Sequence, residues 1–222
     1  MKSLRLGSGL FALWGWFELF DRETVASAGK FFAFSLMVQV VLNSDYVVMS
    51  LLFDASQIVE YKIVASIFAF VYSFCYASLL TFWPKSAGEI SMGRFSFVRR
   101  AIRGNIIKSS MFIIVFSGLV LSVKSPISAL LSGGQVELSS TLICAFAVLY
   151  LVRLFGDVYA VVLASANQTG IFLFYLPVQL LLSIGLQFFL GGYLGVVGIT
   201  LGITLSFLLT AFWVNPVVFG RL

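Results

Sequence analysis

The sequence predicts an all-α membrane protein with six transmembrane helices, and two observations support this. The 222 residues are 60% hydrophobic and only 10% charged, with a mean hydropathy of +1.06. This leaves too little polar surface to cover a water-soluble protein of that size. Apolar runs of roughly 20 residues recur along the chain, which suits membrane-spanning helices, whereas strands of a membrane barrel would be about half as long and alternate in polarity.

The expected spans are separated by short links that contain proline, glycine or polar residues. Pro84 is expected to end the second span, because proline cannot donate the next helical hydrogen bond. A polar link, Asp54 to Lys62, precedes that span, and Pro126, Gly133 and Gly134 mark the exit from the third. Residues 31–217 thus form one six-helix domain, with spans at about 31–53, 63–83, 111–131, 138–166, 171–190 and 194–214.

One long basic segment, 84–109, separates the second span from the third. It holds six cations against a single acid, Glu89. Because short loops rich in Lys and Arg stay in the cytoplasm, we expect this segment to be a cytoplasmic loop and both termini to be cytoplasmic (N-in/C-in). Only Lys62 and Lys124 then lie outside. The cations on the cytoplasmic side are Lys2, Arg5, Arg22, Lys30, Lys85, Arg94, Arg99, Arg100, Arg103, Lys108 and Arg221.

Residues 1–30 share some features with a signal peptide, since Lys2 and Arg5 precede an apolar run and the small-residue triplet 26–28 follows it. Four charges lie between the apolar run and this triplet, which a signal peptide would not tolerate. We therefore expect an interfacial cytoplasmic helix here. Those charges are Glu18, Asp21, Arg22 and Glu23.

Glycines shape the end of the chain. Gly191 and Gly192 are expected to turn a hairpin between the fifth and sixth spans, and Asn215-Pro216 to end the last helix. A small-residue face on the sixth span would allow close packing of two helix backbones. Its members are Gly191, Gly195, Gly198 and Gly202.

Two spans carry polar stripes at helical spacing. A polar stripe in a membrane must face other helices or a wet cavity. Asp45 lies about a third of a turn from the first stripe, so we expect it to pair with a neighbouring helix. The stripe of the first span is Ser35, Gln39, Asn43, Tyr46 and Ser50, and that of the fifth is Tyr175, Gln179, Ser183 and Gln187.

The fourth span contains an ion pair within its apolar sequence. Arg153 and Asp157 stand four residues apart on one helical face, together with Ala160 and Ala164. Ionisable residues inside a membrane mark functional sites by default. A second interpretation is that the two charges only neutralise each other so that the helix can insert. Both interpretations place the charges inside the bundle.

Several functional classes lack support in the sequence. There is no histidine, and Cys75 and Cys144 have neither metal-site nor disulfide spacing. No nucleophile with a neighbouring base and no phosphate-binding glycine loop is visible, so we expect no enzyme, cofactor or metal. Membrane orientation accounts for the net charge of +5 without a nucleic-acid partner. Polar stripes and buried charges instead favour a hydrophilic path for transport.

Three segments in order resemble one family of transporters. They are NSDYVVMSLLFDASQIVEYKIVASIFAF at 43–70, FWPKSAGEISMGRFSFVRR at 82–100, and ANQTGIFLFYLPVQLLLSIGLQFFLGGYLGVVGITLGITLSF at 166–207. Together they are similar to the O-antigen and polysaccharide flippases of the multidrug and oligosaccharidyl-lipid exporter superfamily. The resemblance covers about residues 28–218 and implies one lobe of a MATE-like fold, in which two six-helix lobes surround a central cavity.

The same resemblance implies a function and its partners. Such flippases move undecaprenyl-pyrophosphate-linked glycans across the bacterial inner membrane, and this chain aligns with their second lobe. A missing N-terminal lobe or a second copy of the chain would complete the cavity, with membrane lipids around it. The alternatives are a drug or lipid exporter of the same superfamily, and a non-transporting membrane subunit or gene remnant.

The resemblance also implies site residues. Such a cavity should be cationic, and Arg153 is the one basic residue deep in a span. Asp45 matches the motif acid at the start of the lobe. The expected substrate-path residues are Arg153, Asp157, Asp45, Gln39, Asn43, Tyr46 and Gln179.

Overall fold

A computed structural model describes residues 22–222, which are helical apart from short turns. Six segments of this part of the chain are long and apolar enough to cross a membrane, which confirms the predicted all-α, six-span fold class. A 3-10 turn, Thr169–Ile171, precedes the fifth of them. The α-helices are α1 Arg22–Leu52, α2 Ala55–Ser91, α3 Phe95–Ser122, α4 Lys124–Ser132, α5 Ser140–Ser165, α6 Phe172–Leu194, α7 Val196–Leu209 and α8 Ala211–Gly220.

Helix α5 is the centre of the bundle, with neighbours on several sides. It packs against α2, α3, α7 and α8, and Leu154, Val158 and Leu163 along it are fully buried. Helix α1 packs mainly against α6, and α6 packs most extensively against α7. Because α1 and α2 have different principal neighbours, they are not held together along their length.

The basic segment 84–109 is not the loop that we expected. Helix α2 continues through Pro84 to Ser91, and α3 begins at Phe95, so three residues form the turn. Proline is tolerated within a membrane helix where hydroxyls and a neighbouring helix satisfy nearby backbone groups. Here the hydroxyls of Ser86 and of Ser165 on α5 both donate to the Trp83 carbonyl, at 2.8 and 3.2 Å.

The expected link between the first two spans is also mostly helical. Only Phe53 and Asp54 separate α1 from α2, because Ala55 to Lys62 form the first turns of α2. The Gln57 side chain accepts a hydrogen bond from the backbone N–H of Asp54 at 3.3 Å. This contact is typical of a capping box, which starts a helix.

The third span ends earlier than expected. Helix α3 stops at Ser122, and Lys124–Ser132 forms a separate short helix, α4. Pro126 lies in the first turn of α4, where its missing N–H costs nothing. Gly133 and Gly134, expected to mark the exit from the third span, instead end α4, where both have positive φ, 61° and 78°.

The hairpin between the last two spans turns at Gly195, not at Gly191 and Gly192. Gly195 has a φ of +64°, which glycine adopts without strain, whereas Gly191 and Gly192 continue α6. The last helix also passes the proline expected to end it: after a break at Thr210, α8 runs through Pro216 to Gly220.

The expected interfacial helix is only partly covered by the structure. Residues 1–21 lie outside the described part of the chain. Residues 22–30 form the first turns of α1, continuous with the first span, so the boundary expected at residue 30 does not divide two elements.

Candidate functional site

A groove opens between α1 and α2, and α5 forms its floor. Near the turn at residues 53–54 the two helices are joined by a hydrogen bond between Asp45 and Tyr61. Away from this turn they diverge. The groove has a volume of about 250 Å³ at the end near Asp45 and about 390 Å³ at the end near Ser35 and Trp83.

The polar stripe of α1 forms one wall of this groove, which is one of the two placements that the sequence left open. Ser35, Gln39, Asn43 and Tyr46 line it. The Asn43 amide donates to the backbone carbonyl of Gln39 at 2.7 Å, and both side chains remain exposed. Ser50 lies beyond the groove, where its hydroxyl donates to its own helix.

Asp45 pairs with a neighbouring helix, as its position on α1 predicted. Its side chain is only 5% exposed, and it accepts a hydrogen bond from the Tyr61 hydroxyl at 2.6 Å. The backbone N–H of Tyr46 also donates to it, at 2.9 Å. The hydrogen bond from Tyr61 joins α1 to α2 at this end of the groove, and the two donors satisfy the buried carboxyl.

The ion pair of α5 lies on the floor of the groove. Nε of Arg153 donates to Oδ2 of Asp157 at 3.3 Å, and their side chains are 20% and 26% exposed. The Tyr72 hydroxyl on α2 donates to the same carboxylate oxygen. The guanidinium of Arg153 lies 4.7 Å from the ring centre of Tyr72 and 5.7 Å from that of Tyr150. The arginine is therefore held by a carboxylate and by two aromatic faces.

Aromatic side chains join the wall of the groove to its floor. Tyr61, Phe68 and Tyr72 lie on one face of α2 and meet Phe146 and Tyr150 of α5. Ring centres of the contacting pairs are 5.0 to 5.9 Å apart. These ring contacts hold α2 against α5 along the groove.

Gln179 lies behind the ion pair and not in the open groove. It borders a small cavity of about 40 Å³ with Asn215 and the Arg153–Asp157 pair. Gln179 is 1% exposed and neither of its polar atoms has a partner in the described residues. The cavity is large enough for a water molecule to satisfy them.

The rest of the α6 stripe is buried between helices. The Gln187 amide donates to Ser183 at 2.8 Å and to Ser44 of α1 at 3.2 Å. This stripe therefore holds α6 against α1 and does not line the groove.

The sequence reasoning missed four side chains that hold Asp45 or surround the ion pair. Tyr61 and Tyr72 are spaced 11 residues apart, which places them on one helical face, so this spacing was a usable signal. Tyr150 and Asn215 had no such signal, because their roles depend on contacts with other helices. Asn215 donates to the carbonyl of Gly156, 3.1 Å away, beside Asp157.

The groove offers chemistry suited to binding rather than to reaction. Arg153, the cation among its described lining residues, can attract an anion, and the amides and hydroxyls of α1 can exchange hydrogen bonds with a polar ligand. Among residues 22–222, no three His, Cys, Asp or Glu side chains converge as a metal site would require.

Comparisons with known proteins found relatives of one kind. The chain is 31% identical over 194 residues to a Salmonella typhi protein named as an O-antigen transporter, covering 87% of this chain and 45% of that protein. It is 28% identical over 192 residues to a Salmonella typhimurium protein of the same name, covering 85% and 44%. A Yersinia pseudotuberculosis protein named as an O-antigen export protein is 31% identical over 194 residues, covering 86% and 44%.

These similarities confirm the resemblance drawn from the sequence motifs. Together with the six apolar helices, the bacterial relatives make this a multi-pass protein of the inner membrane. The chain spans about half the length of the relatives it matches. No protein-family model matches the chain, and no solved structure is significantly similar to it.

Proposed function

We propose that the chain forms one lobe of a flippase that moves lipid-linked O-antigen units across the inner membrane. The observation that carries the proposal is Arg153, a cation set in the floor of a polar groove within an apolar helix bundle. The names of the relatives support it, since all three specify O-antigen transport or export. They favour glycan export over the drug-exporter and non-transporting alternatives.

In this proposal Arg153 receives the anionic part of the substrate. A lipid-linked glycan of the undecaprenyl-pyrophosphate type carries its negative charge between the lipid and the sugars. A guanidinium can bind two phosphate oxygens at once, and Asp157 and Tyr72 hold it in place. The exposed amides of Gln39 and Asn43 are then placed to exchange hydrogen bonds with sugar hydroxyls.

A second lobe is needed to close the groove. Gln39 and Asn43 are exposed on its open side, although they lie within a membrane span. Asn43 already donates to Gln39 within α1, but each polar atom of the pair that faces hydrocarbon without a partner costs on the order of 2 kcal/mol or more. We propose that a second six-helix lobe, either an N-terminal lobe or a second copy of the chain, covers this side, in the two-lobe, MATE-like arrangement.

The proposed orientation places the wide end of the groove toward the cytoplasm. With both termini inside, the α2–α3 turn and its cations are cytoplasmic. The wide end near Ser35 and Trp83 lies toward that same turn along α2. A substrate made in the cytoplasm would thus enter at this end and meet Arg153.

Export measured with Arg153 variants tests the proposal. In a strain that depends on this protein for surface O-antigen, Arg153→Ala should abolish export and Arg153→Lys should keep part of it, since lysine keeps the charge but not the bidentate fork. Arg103→Gln is the control, because Arg103 is an exposed cation outside the groove. Full export by Arg153→Ala at normal protein levels would overturn the proposal.

A further inference from the structure

A second polar cleft lies between α2 and α3, close to the turn that joins them. Its volume is about 400 Å³. Three cations line it, Lys85 from α2 and Arg100 and Lys108 from α3, and no carboxylate is among its described lining residues. The proposed flippase groove does not include any of the three.

The three cations are not neutralised within the described part of the chain. Among the side chains that the structure describes, the salt bridges join Arg94 to Glu89 and Arg153 to Asp157, and neither includes these cations. Nζ of Lys85 lies 5.0 Å from the ring centre of Phe97 on α3, which holds this cation across the cleft. Like charges gathered in one cleft repel each other, and a bound anion relieves this repulsion.

Membrane orientation alone explains why cations are present near this turn, but not why three of them converge. Arg99 and Arg103 lie on the same helix and contribute to the same Lys and Arg bias, yet neither lines the cleft. The convergence of Lys85, Arg100 and Lys108 is therefore a separate feature.

An apolar surface continues the cleft along the same two helices. Phe74 lies one turn before the cleft residue Ser78, and Phe112 lies one turn after Lys108. Their rings meet edge to face at 6.5 Å, and the side chains are 56% and 44% exposed. The cleft thus passes from a cationic end to an exposed aromatic surface within the membrane span.

We infer that this cleft binds the phosphate headgroup of an anionic phospholipid, whose acyl chains lie along Phe74 and Phe112. Basic pockets between transmembrane helices on the cytoplasmic side are suited to such headgroups. The Lys and Arg bias places this end in the cytoplasmic leaflet, where anionic lipids supply the ligand. Free phosphate would fill the cationic end but leave the aromatic surface unused.

A matched pair of variants separates cleft binding from general charge attraction. Arg100→Gln with Lys108→Gln removes two cleft cations, and Arg99→Gln with Arg103→Gln removes two exposed cations of the same helix outside the cleft. Both double variants change the net charge equally. A difference in lipid binding between the two variants is therefore due to the cleft.

The test measures lipid retained by the purified, delipidated full chain after incubation with phosphatidylglycerol or phosphatidylcholine, using native mass spectrometry. Wild type and the Arg99/Arg103 variant should retain phosphatidylglycerol in preference to phosphatidylcholine. The Arg100/Lys108 variant should bind phosphatidylglycerol about 10- to 30-fold more weakly, from roughly a fivefold effect for each cation near the surface. Equal weakening in both double variants would overturn the inference.

Further measurements distinguish the lipid site from a free-phosphate site and from the effects of misfolding. Millimolar inorganic phosphate should not displace the bound lipid, and displacement would assign the cleft to free phosphate instead. The exchange Arg100→Lys with Lys108→Arg keeps both charges and should keep lipid binding. Lys85→Gln alone should weaken binding about fivefold. If the Arg100/Lys108 variant does not fold, the exchange variant and Lys85→Gln test the inference in its place. Unchanged lipid binding by Lys85→Gln would then count against the cleft.

Discussion

The guanidinium carbon of Arg153 lies 4.7 Å from the centre of the Tyr72 ring, so a cation of α5 rests on an aromatic face of α2. The hydroxyl of the same tyrosine donates to Asp157, the partner of Arg153. One side chain of α2 therefore holds both charges of α5. The ion pair is consequently fixed by tertiary contacts as well as by its spacing along the helix.

Removing the Tyr72 hydroxyl should destabilise the bundle. Tyr72→Phe keeps the ring beneath Arg153 but leaves Asp157 without that donor, which we expect to lower the free energy of unfolding by about 1 to 3 kcal/mol. Tyr76→Phe is the control, because Tyr76 is 41% exposed. Thermal unfolding in detergent measures both variants. Equal melting temperatures for Tyr72→Phe and wild type would contradict the assigned hydrogen bond.

Removing both charges of α5 should harm the protein less than removing either one. Arg153→Ala or Asp157→Ala leaves one charge unpaired in an apolar helix, whereas the double variant leaves none. We expect the double variant to accumulate in the membrane better than either single variant, yet to export no glycan. Protein level and surface glycan are measured together. Normal export by the double variant would mean that the pair serves only insertion.

Adding a methyl group at the α6–α7 contact should disrupt the hairpin. A Cβ on Gly202 would lie 2.7 Å from the backbone nitrogen of Gln187, and one on Gly198 would collide with the carbonyl of Leu190. Because the obstacles are backbone atoms, we expect Gly198→Ala and Gly202→Ala each to cost about 3 kcal/mol or more, above the usual cost of an overpacked site.

A neighbouring glycine offers the control for this hairpin test. A Cβ on Gly192, within α6, would have no neighbour within 4 Å. Gly192→Ala should therefore be neutral or slightly stabilising. Membrane accumulation and melting temperature report all three variants, and normal stability of Gly202→Ala would disprove the close backbone contact.

The topology is tested by labelling single cysteines from outside intact cells. In a chain with Cys75 and Cys144 replaced by serine, Met92→Cys should be protected from an impermeant maleimide and Gln135→Cys should be labelled. Both positions are exposed at turns, so accessibility to the reagent depends on the side of the membrane. This outcome follows from the Lys and Arg bias. The reverse labelling pattern would mean that every span has the opposite orientation in the membrane.

The chain as a monomer should not flip substrate. In proteoliposomes, we expect a fluorescent glycan-lipid to cross the bilayer only where a second lobe covers Gln39 and Asn43. The measurement combines quenching by an impermeant reagent with the mass of the reconstituted species. Activity confined to a dimer would identify a second copy as the covering lobe. Flipping by a pure monomer would rule out the two-lobe proposal.

The ends of two helices could not be predicted from the local sequence. Pro84 and Pro216 remove one backbone donor each, and both looked like ends of helices. Both helices continue, and at Pro84 serine hydroxyls on α2 and α5 meet the adjoining backbone. A contact between distant helices is not a property of the residues around a proline, so local sequence cannot reveal it.

The fold class, the number of spans and the face of α5 that carries Arg153 and Asp157 could all be predicted from the residues alone. Each of these follows from run length or helical spacing, which are local properties. It took the packing of the helices to show that the α1 stripe lines a groove while the α6 stripe, including Gln187, is buried. Both stripes look alike along the chain. The physical difference is which helix packs against each, and that is set by side-chain complementarity across the whole bundle.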